Sequence, residues 1–517
     1  MNTKKATKRA LLTSVMALVM CVVMLVGTTF AWFTDTASTA VNKIQAGNLD
    51  IKLLAEDGVT SLEGATLEWQ KAEGAEGEDI LWEPGCRYKL QPIIIKNAGT
   101  LALKYKIVIS GIDGDAKLNE AIEWTIDGVS LDEEKPLLAG ESAKLTIEGH
   151  MKKEAGNEYQ GLSIDGIGIT VYATQYTHEN DSVDNTYDED ATYGTGATII
   201  GLKGTYDSLT AAAKAWRESK GVVTSGGTFG MNSLGTVDSI AWVVSGEVAT
   251  GDGEGVIGNN GAGESILGGG YFTPAVTVNN ITIKGVNDAK ITKPGDSYLV
   301  SAAGKNVVYE NITFVDTVRI DSNPANLTFK NCKFEAGFRM PHSAANGNVT
   351  IENCTFTGNE SSGYAIFAQG NMASFTISGN KISGCQRGIN VQAGNNAVVT
   401  INGNTIENIT GKTSNGFTYG AAIQLTSAKT FTVTKNIISN VEVNALHIWM
   451  SDDGNTKCNP DSITIKDNNI SAKYLCWNQA GYDMSKVASS GNTLNITNVG
   501  KCVTKTEVIN STFTLNN

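Results

Sequence analysis

From residue 327 onward one short phrase recurs, in which apolar residues alternate with polar ones: "LTFKNCKF" at 327, "VTIENCTF" at 349, "FTISGNKI" at 375, "VTINGNTI" at 399, "FTVTKNII" at 431 and "ITIKDNNI" at 463. A period of two buries every second side chain of a strand. Each phrase is broken in its middle by the same two positions. The second of them is Ile312, Cys332, Cys354, Asn380, Asn404, Asn436 and Asn468, at intervals of 20, 22, 26, 24, 32 and 32 residues. The first is Asn311, Asn331, Asn353, Gly379, Gly403, Lys435 and Asp467. Asn, Gly and Asp best tolerate a left-handed bend, so each phrase reads as strand, bend, strand. Strand-rich repeats of this length predict a solenoid, with equivalent residues about 4.8 Å apart in successive coils. A left-handed solenoid would need a hexapeptide repeat, which is missing. The expectation is a right-handed parallel β-helix over about 221–517. Asn is then stacked on Asn, and Cys332 on Cys354 either as free thiols or as a bridge. "YDSLTAAAKAWRESK" (206–220) reads as a helix capped by Asp207 or Ser208 and ended by Gly221, closing the first coil.

A second alternating strand follows each bend: "TVRID", "GFRMP", "AIFAQ", "GINVQ", "AIQLT", "LHIWM" and "LCWNQ". Alternation sends Val318, Phe338, Ile366, Ile389, Ile423, Leu446 and Leu475 inward. The outward file is Arg319, Arg339, Phe367, Asn390, Gln424, His447 and Cys476, and beside it run Asp321, Pro341, Gln369, Gln392, Thr426, Trp449 and Asn478. Insertions around 411–420 and 451–460 are placed to wall this face. Amides bond hydroxyls, aromatic rings stack on sugar faces and arginines meet uronate carboxylates, so the face suits a polysaccharide. Phe367, Asn390, Gln392, Gln424, Trp449 and Asn478 are the glycan-binding candidates. For catalysis the face offers Arg319, Asp321, Arg339, His342, His447, Asp452 and Asp453, joined by no familiar catalytic phrase. The architecture resembles the pectate-lyase-like and polygalacturonase-like enzymes.

The first third alternates differently. "NLDIKLL", "YKLQPIIIKNAG", "LALKYKIVIS", "SAKLTIEGHM" and "IGITVYATQY" read as strands separated by turns, a β-sandwich of Greek-key or jelly-roll kind. The whole chain is therefore expected to be all-β: a jelly-roll sandwich (32–178), an acidic linker (179–197), then the capping helix and β-helix (198–517).

Composition and charge sharpen this division. Only 18% of the 517 residues are charged, 56 are glycine, and the net charge is −13, which argues against nucleic acid as the partner. Residues 1–31 carry +4, residues 32–197 hold 30 acids and 13 bases, and 198–517 are neutral. "KKATKR" followed by "ALLTSVMALVMCVVMLVG" reads as an export signal, cut between Ala31 and Trp32. Secretion to the matrix or cell surface is the expected destination. Seven of the eight cysteines lie beyond it, too odd a number for a fully paired framework, and most read as buried thiols.

"GTTFAWFTDTASTAVNKIQAGNLDIKL", "PIIIKNAGTLALKYKI", "LLAGESAKLTIEGHM" and "GNEYQGLSIDGIGITVYATQYTHENDS" together resemble the exported TasA/camelysin family, over roughly residues 1–190. The resemblance implies processing by a dedicated SipW-type signal peptidase and a jelly-roll subunit of extracellular fibres. There, the N-terminal strand of one copy completes the sheet of the next, by β-strand addition. "WFTDTASTAVNKIQAGNLDI" is the candidate donor strand. The metallopeptidase label of some relatives does not carry over: there is no H-E-x-x-H, and His150 and His178 lie apart with no third ligand. No cofactor is expected, calcium at the Asp-rich linker being the weak exception. The expected role is structural or adhesive, with a polysaccharide lyase or glycoside hydrolase as the alternative.

Overall fold

The computed structural model describes most of residues 48–176 and 195–515. Its longest undescribed stretches are 71–80, 230–235, 250–276, 293–303 and 450–457. The export signal with Ala31 and Trp32, the donor strand up to residue 47, and nearly all of the acidic linker with His178 lie outside the described residues, as do Asp321, Asp452 and Asp453.

The first region is built from antiparallel pairs. Ile51–Leu54 pairs with Ile93–Asn97, which pairs with Ser142–Leu145, and Leu103–Ser110 lies between Gly168–Gln175 and Lys135–Leu137. The alternation seen in the sequence is the burial pattern itself: Ile93, Ile95, Leu103, Tyr105, Ile107, Leu145 and Ile147 form one core. Two stretches read as single strands are each two. "YKLQPIIIKNAG" divides into Arg87–Lys89 and Ile93–Asn97, and "SAKLTIEGHM" divides into Ser142–Leu145 and Ile147–Met151, their halves pairing in different sheets. Switching sheets lets one short run cover two sides of a core.

The second region is dominated by one sheet of 24 strands wound into coils, parallel in every pairing except that of its first strand. Thr236–Ala249 pairs with Thr277–Thr292, and each later coil lies in register on the one before. All seven bend residues are left-handed, from Asn353 at φ 52° to Gly379 and Gly403 at φ 65°. The next column behaves as its composition demands. Asn404 Oδ1 accepts from the backbone N–H (2.9 Å) and the amide Nδ2 (2.9 Å) of Asn380, while Asn404 Nδ2 donates to the Ile377 carbonyl (2.9 Å) and to Asn436 Oδ1 (2.9 Å). Asn436 repeats this on Asn468, and Asn468 on Asn492, one rung more than the phrase alignment reached. Where the ladder gives way to Cys354, its Sγ takes the amide's place, against the Phe329 carbonyl at 3.5 Å. Cys332 and Cys354 are free thiols, as are all seven described cysteines, and only Cys86 is not buried.

Inside the coils, rings stack at the strand spacing: Tyr309 on Phe329 (4.8 Å) and Phe334 on Phe356 (4.5 Å). The helix α1 spans Leu209–Ser219. Ser208 Oγ caps it by accepting from Ala211 N at 3.1 Å, and Leu209, Ala212, Ala213 and Trp216 join the β-helix core beside Ala197 and Ile199. Gly196–Ile199 pairs antiparallel with Thr236–Ala249, so the first coil is closed by both a strand and a helix. Among the described residues no helix is long and apolar enough to cross a membrane.

Candidate functional site

The strands after the bends place the outward file almost as alternation predicts. Arg319 lies opposite Arg339, followed by Phe367, Asn390, Gln424 and His447 in successive coils. The seventh position is a correction. Leu446 lies opposite Cys476, which is 1% exposed and points inward, and His447 lies opposite Trp477. Within Asn469–Asn478 the alternation is regular, with Ile470, Ala472, Tyr474 and Cys476 buried, whereas Ile437–Ile448 takes up two extra residues through its two register shifts. Matching Leu475 to Leu446 by their apolar type therefore selects the wrong residue. In the neighbouring file Gln392 lies opposite Ser427 rather than Thr426, across another shift.

The file divides into a closed part and an open part. Phe367, Asn390, Gln424 and His447 are all buried, together with Thr426 and Tyr364, so the expectation that Phe367 offers a free ring to a sugar is not met. Arg387 Nη1 donates to the Tyr364 hydroxyl (2.9 Å), which donates to Gln424 Oε1 (2.7 Å). Gln424 Nε2 reaches Thr426 Oγ1 (3.4 Å), and Thr426 donates to Asn390 Oδ1 (2.7 Å). The Arg387 guanidinium also lies 3.8 Å over the Tyr364 ring. The residues at 411–420 form a hairpin, Lys412–Ser414 with Phe417–Tyr419, which walls this part. Lys412 Nζ donates to the carbonyls of Ser361 and Ser362, and Tyr419 stands 5.7 Å from Arg387. His447 Nε2 is 2.9 Å from Gln479 Oε1, and the imidazole is stacked on Trp477 at 4.3 Å. Burial lowers its pKa to about 4, with the Arg387 charge adding to the shift and the Gln479 bond opposing it, so the ring is neutral at pH 7. These groups hold one another, and an amide with its partners satisfied offers little to a sugar.

The open part lies two coils earlier. Half-exposed Arg339 stands 5.8 Å over the buried Phe367 ring, which is stacked on Tyr364 at 5.2 Å, and Gln369 Nε2 donates to Gln392 Oε1 at 2.8 Å. Glu360, its side chain fully buried, accepts from Tyr364 N at 3.1 Å and faces Arg339 Nη1 at 3.8 Å. Arg339, Arg387 and Lys412 thus surround the turn Glu360–Gly363, and the Nε atoms of both arginines are buried without a partner. Further along, Trp449 is half-buried, whereas the Asn478 amide is used in a turn, bonded to both backbone groups of Tyr482. The side chains of Pro341 and His342 lie outside the described residues.

Glu360, Tyr364, Arg387 and Lys412 escaped the sequence reading. Tyr364 and Arg387 lie opposite one another two residues before inward Ile366 and Ile389, so alternation assigns them to the core. Tyr364 is indeed buried, and its hydroxyl rather than its periodicity links it to Arg387 and Gln424. Glu360 lies in a turn and carries no periodic signal.

Chemically, cations and half-exposed amides gather on the open part, with one carboxylate held in place by a backbone N–H and an arginine. Glycoside hydrolysis asks for two carboxylates about 5–10 Å apart on either side of the bond. Glu360 and neutral His447 do not make that arrangement, and Asp321, Asp452 and Asp453 lie outside the described residues. A family model described as the right-handed β-helix region matches residues 262–457. No curated protein and no solved structure matches the chain. Register, sheet topology and that match agree on what the larger part of this chain is: a right-handed β-helix.

Proposed function

We propose that the chain is an exported protein of the bacterial matrix or cell surface, whose β-helix holds acidic polysaccharide on the Arg319–Arg339 face. The observation that supports this most is the stack itself. Arg319 and Arg339 lie opposite one another in successive coils, beside a pair of half-exposed glutamines. Guanidinium matches carboxylate in a planar, two-pronged fashion. The acidic first region would serve as tether or fibre subunit, by strand addition between copies or with other matrix subunits, after removal of the leader.

Retention of polygalacturonate on immobilised protein tests the binding. Arg339→Ala with Trp449→Ala should weaken retention about tenfold or more, since each charge-assisted bond is worth roughly 1.5–3 kcal/mol. Unchanged retention would remove the reading. The alternative, a lyase or hydrolase on the same face, predicts new reducing ends or unsaturated uronate absorbance on incubation with polysaccharide. Electron microscopy of the processed protein at rising concentration tests fibre assembly, and persistent monomers would count against self-polymerisation.

A further inference from the structure

One coil carries a side branch that the β-helix itself does not need. A Cβ on Gly420 would lie 3.8 Å from the Gly411 Cα, so residues 412–419 leave the coil and return to almost the same place. They form the hairpin Lys412–Ser414 with Phe417–Tyr419. Its turn residues Asn415 (φ 51°) and Gly416 (φ 83°) are both left-handed, the geometry that matches the twist of two short strands.

Directly paired residues of an antiparallel pair share a face. Lys412 lies opposite Tyr419 and Ser414 opposite Phe417, so these four side chains point to one side of the hairpin. Thr413 and Thr418, bonded to each other at 2.8 Å, point to the other. Contacts fix which side is which. A Cβ on Gly411 would touch both Thr418 and Val443, so the threonine side looks toward the later coil. Lys412 Nζ reaches back two coils to the carbonyls of Ser361 (3.4 Å) and Ser362 (3.2 Å), and the Tyr419 ring lies 5.7 Å from the Arg387 guanidinium. The lysine side therefore looks toward the Arg319–Arg339 face. Phe417 stands on that side and is 47% exposed, unlike Phe367.

Two arginines in successive coils also define a direction. A polymer bonded to both runs along the axis of the β-helix. Toward the later coils it passes buried Phe367 and then meets the hairpin, beyond which Asn390, Gln424 and His447 are covered. The wall it meets is chemically equipped. Phe417 presents a ring, and the Lys412 ammonium has a third proton beyond the two that its carbonyls take. On the floor Arg339, 30% exposed, reaches Ser361 Oγ at 3.4 Å.

We infer that the hairpin is an end-stop, and that the face takes the end of an acidic polysaccharide chain. The terminal sugar packs on the Phe417 ring, and its carboxylate meets Lys412 and Arg339. This rests on the acidic-polysaccharide reading of the face and adds which part of the polymer is held. Titration calorimetry of the processed full chain tests it, with hexagalacturonate and with long polygalacturonate, each at known chain concentration. A chain has one end of each kind, so both ligands should saturate at one chain per protein. Phe417→Ala should raise the Kd for the hexamer roughly tenfold, and Phe417→Trp should hold it. Several proteins bound along each long chain would overturn the end-stop, as would Phe417→Ala binding as the parent does. If neither ligand binds, the polysaccharide reading of the face falls, and the end-stop with it.

Discussion

Asn404 carries more of the fold than its small side chain suggests. Its Oδ1 is the acceptor for the buried Asn380 backbone N–H, and its Nδ2 serves the Ile377 carbonyl. Asn404→Ala strips both partners and leaves water no route to replace them. Stability should fall by about 3 kcal/mol, at 1–3 kcal/mol per orphaned group. Asn402→Ala, on the half-exposed outer side, should cost under about 1 kcal/mol. Denaturant titration followed by circular dichroism separates the two, and similar losses would disprove the ladder's role. His447 makes the second argument at this scale. Its folded pKa of about 4 lies below the ordinary 6.5, so the fold holds the neutral ring. The stability tied to that ring is fully present above about pH 6.5. It is lost as the pH falls toward 4, because the unfolded chain takes up the proton first. The loss amounts to roughly 3 kcal/mol over this window, at 1.36 kcal/mol per pH unit. Tm measured from pH 7 to pH 4 should drop less steeply in His447→Gln than in the parent.

At the scale of elements, the bend is the unit that repeats. Gly403 is left-handed, and a Cβ there would meet nothing nearer than Gly379 N at 4.0 Å. Gly403→Asn should therefore be nearly neutral, within about 0.5 kcal/mol, because Asn311, Asn331 and Asn353 hold the same conformation. Gly379→Asn adds a Cβ 2.4 Å from Asn353 Oδ1 and should cost more. A reversed order of melting temperatures would contradict the stacking. The cap is the other decisive element. Trp216 of α1 is 6% exposed against the first coil. Trp216→Ala should lower stability by about 3–5 kcal/mol. Amide exchange should quicken first in Thr236–Ala249, the strand that Gly196–Ile199 and the cap protect. Much of this was legible beforehand. A left-handed bend selects Asn, Gly or Asp whatever surrounds it, and a buried amide file selects Asn in every coil. The outward file was legible from Arg319 to His447, where apolar residues of similar type mark the inward positions, and it failed at Cys476, where Leu475 resembles Leu446 but Cys476 is the residue paired with it.

For the molecule as a whole, the two regions are in contact. Leu103–Ser110 and Asp113–Gly114 lie against Thr236–Ala249, and Asp113–Gly114 also meets Thr277–Thr292, so the sandwich sits at the capped end of the β-helix. The far coils and their outer face are thereby left clear of it. An acidic first region (30 acids against 13 bases) would also repel an acidic polymer, reserving it for the neutral β-helix. Retention of polygalacturonate should accordingly weaken between 50 and 500 mM salt, because exposed charge pairs are screened within about 10 Å at 0.1 M. Salt-independent retention would show that the arginines are not the contact.

By itself the sequence determined the all-β class, the parallel coils, the left-handed bends, the amide ladder and the capping helix. These are local or one-dimensional properties: a period of two, a backbone preference, a residue matched to its copy in the next coil. The tertiary structure alone decided which outward residues are covered. Asn390, Gln424 and His447 are covered and bonded to Thr426, Tyr364 and Gln479 of other coils, while Arg339 faces Glu360 and Arg387 bonds Tyr364 and Ser362 around a turn. Burial of a polar group depends on what other segments lay over it, and no period along the chain records that.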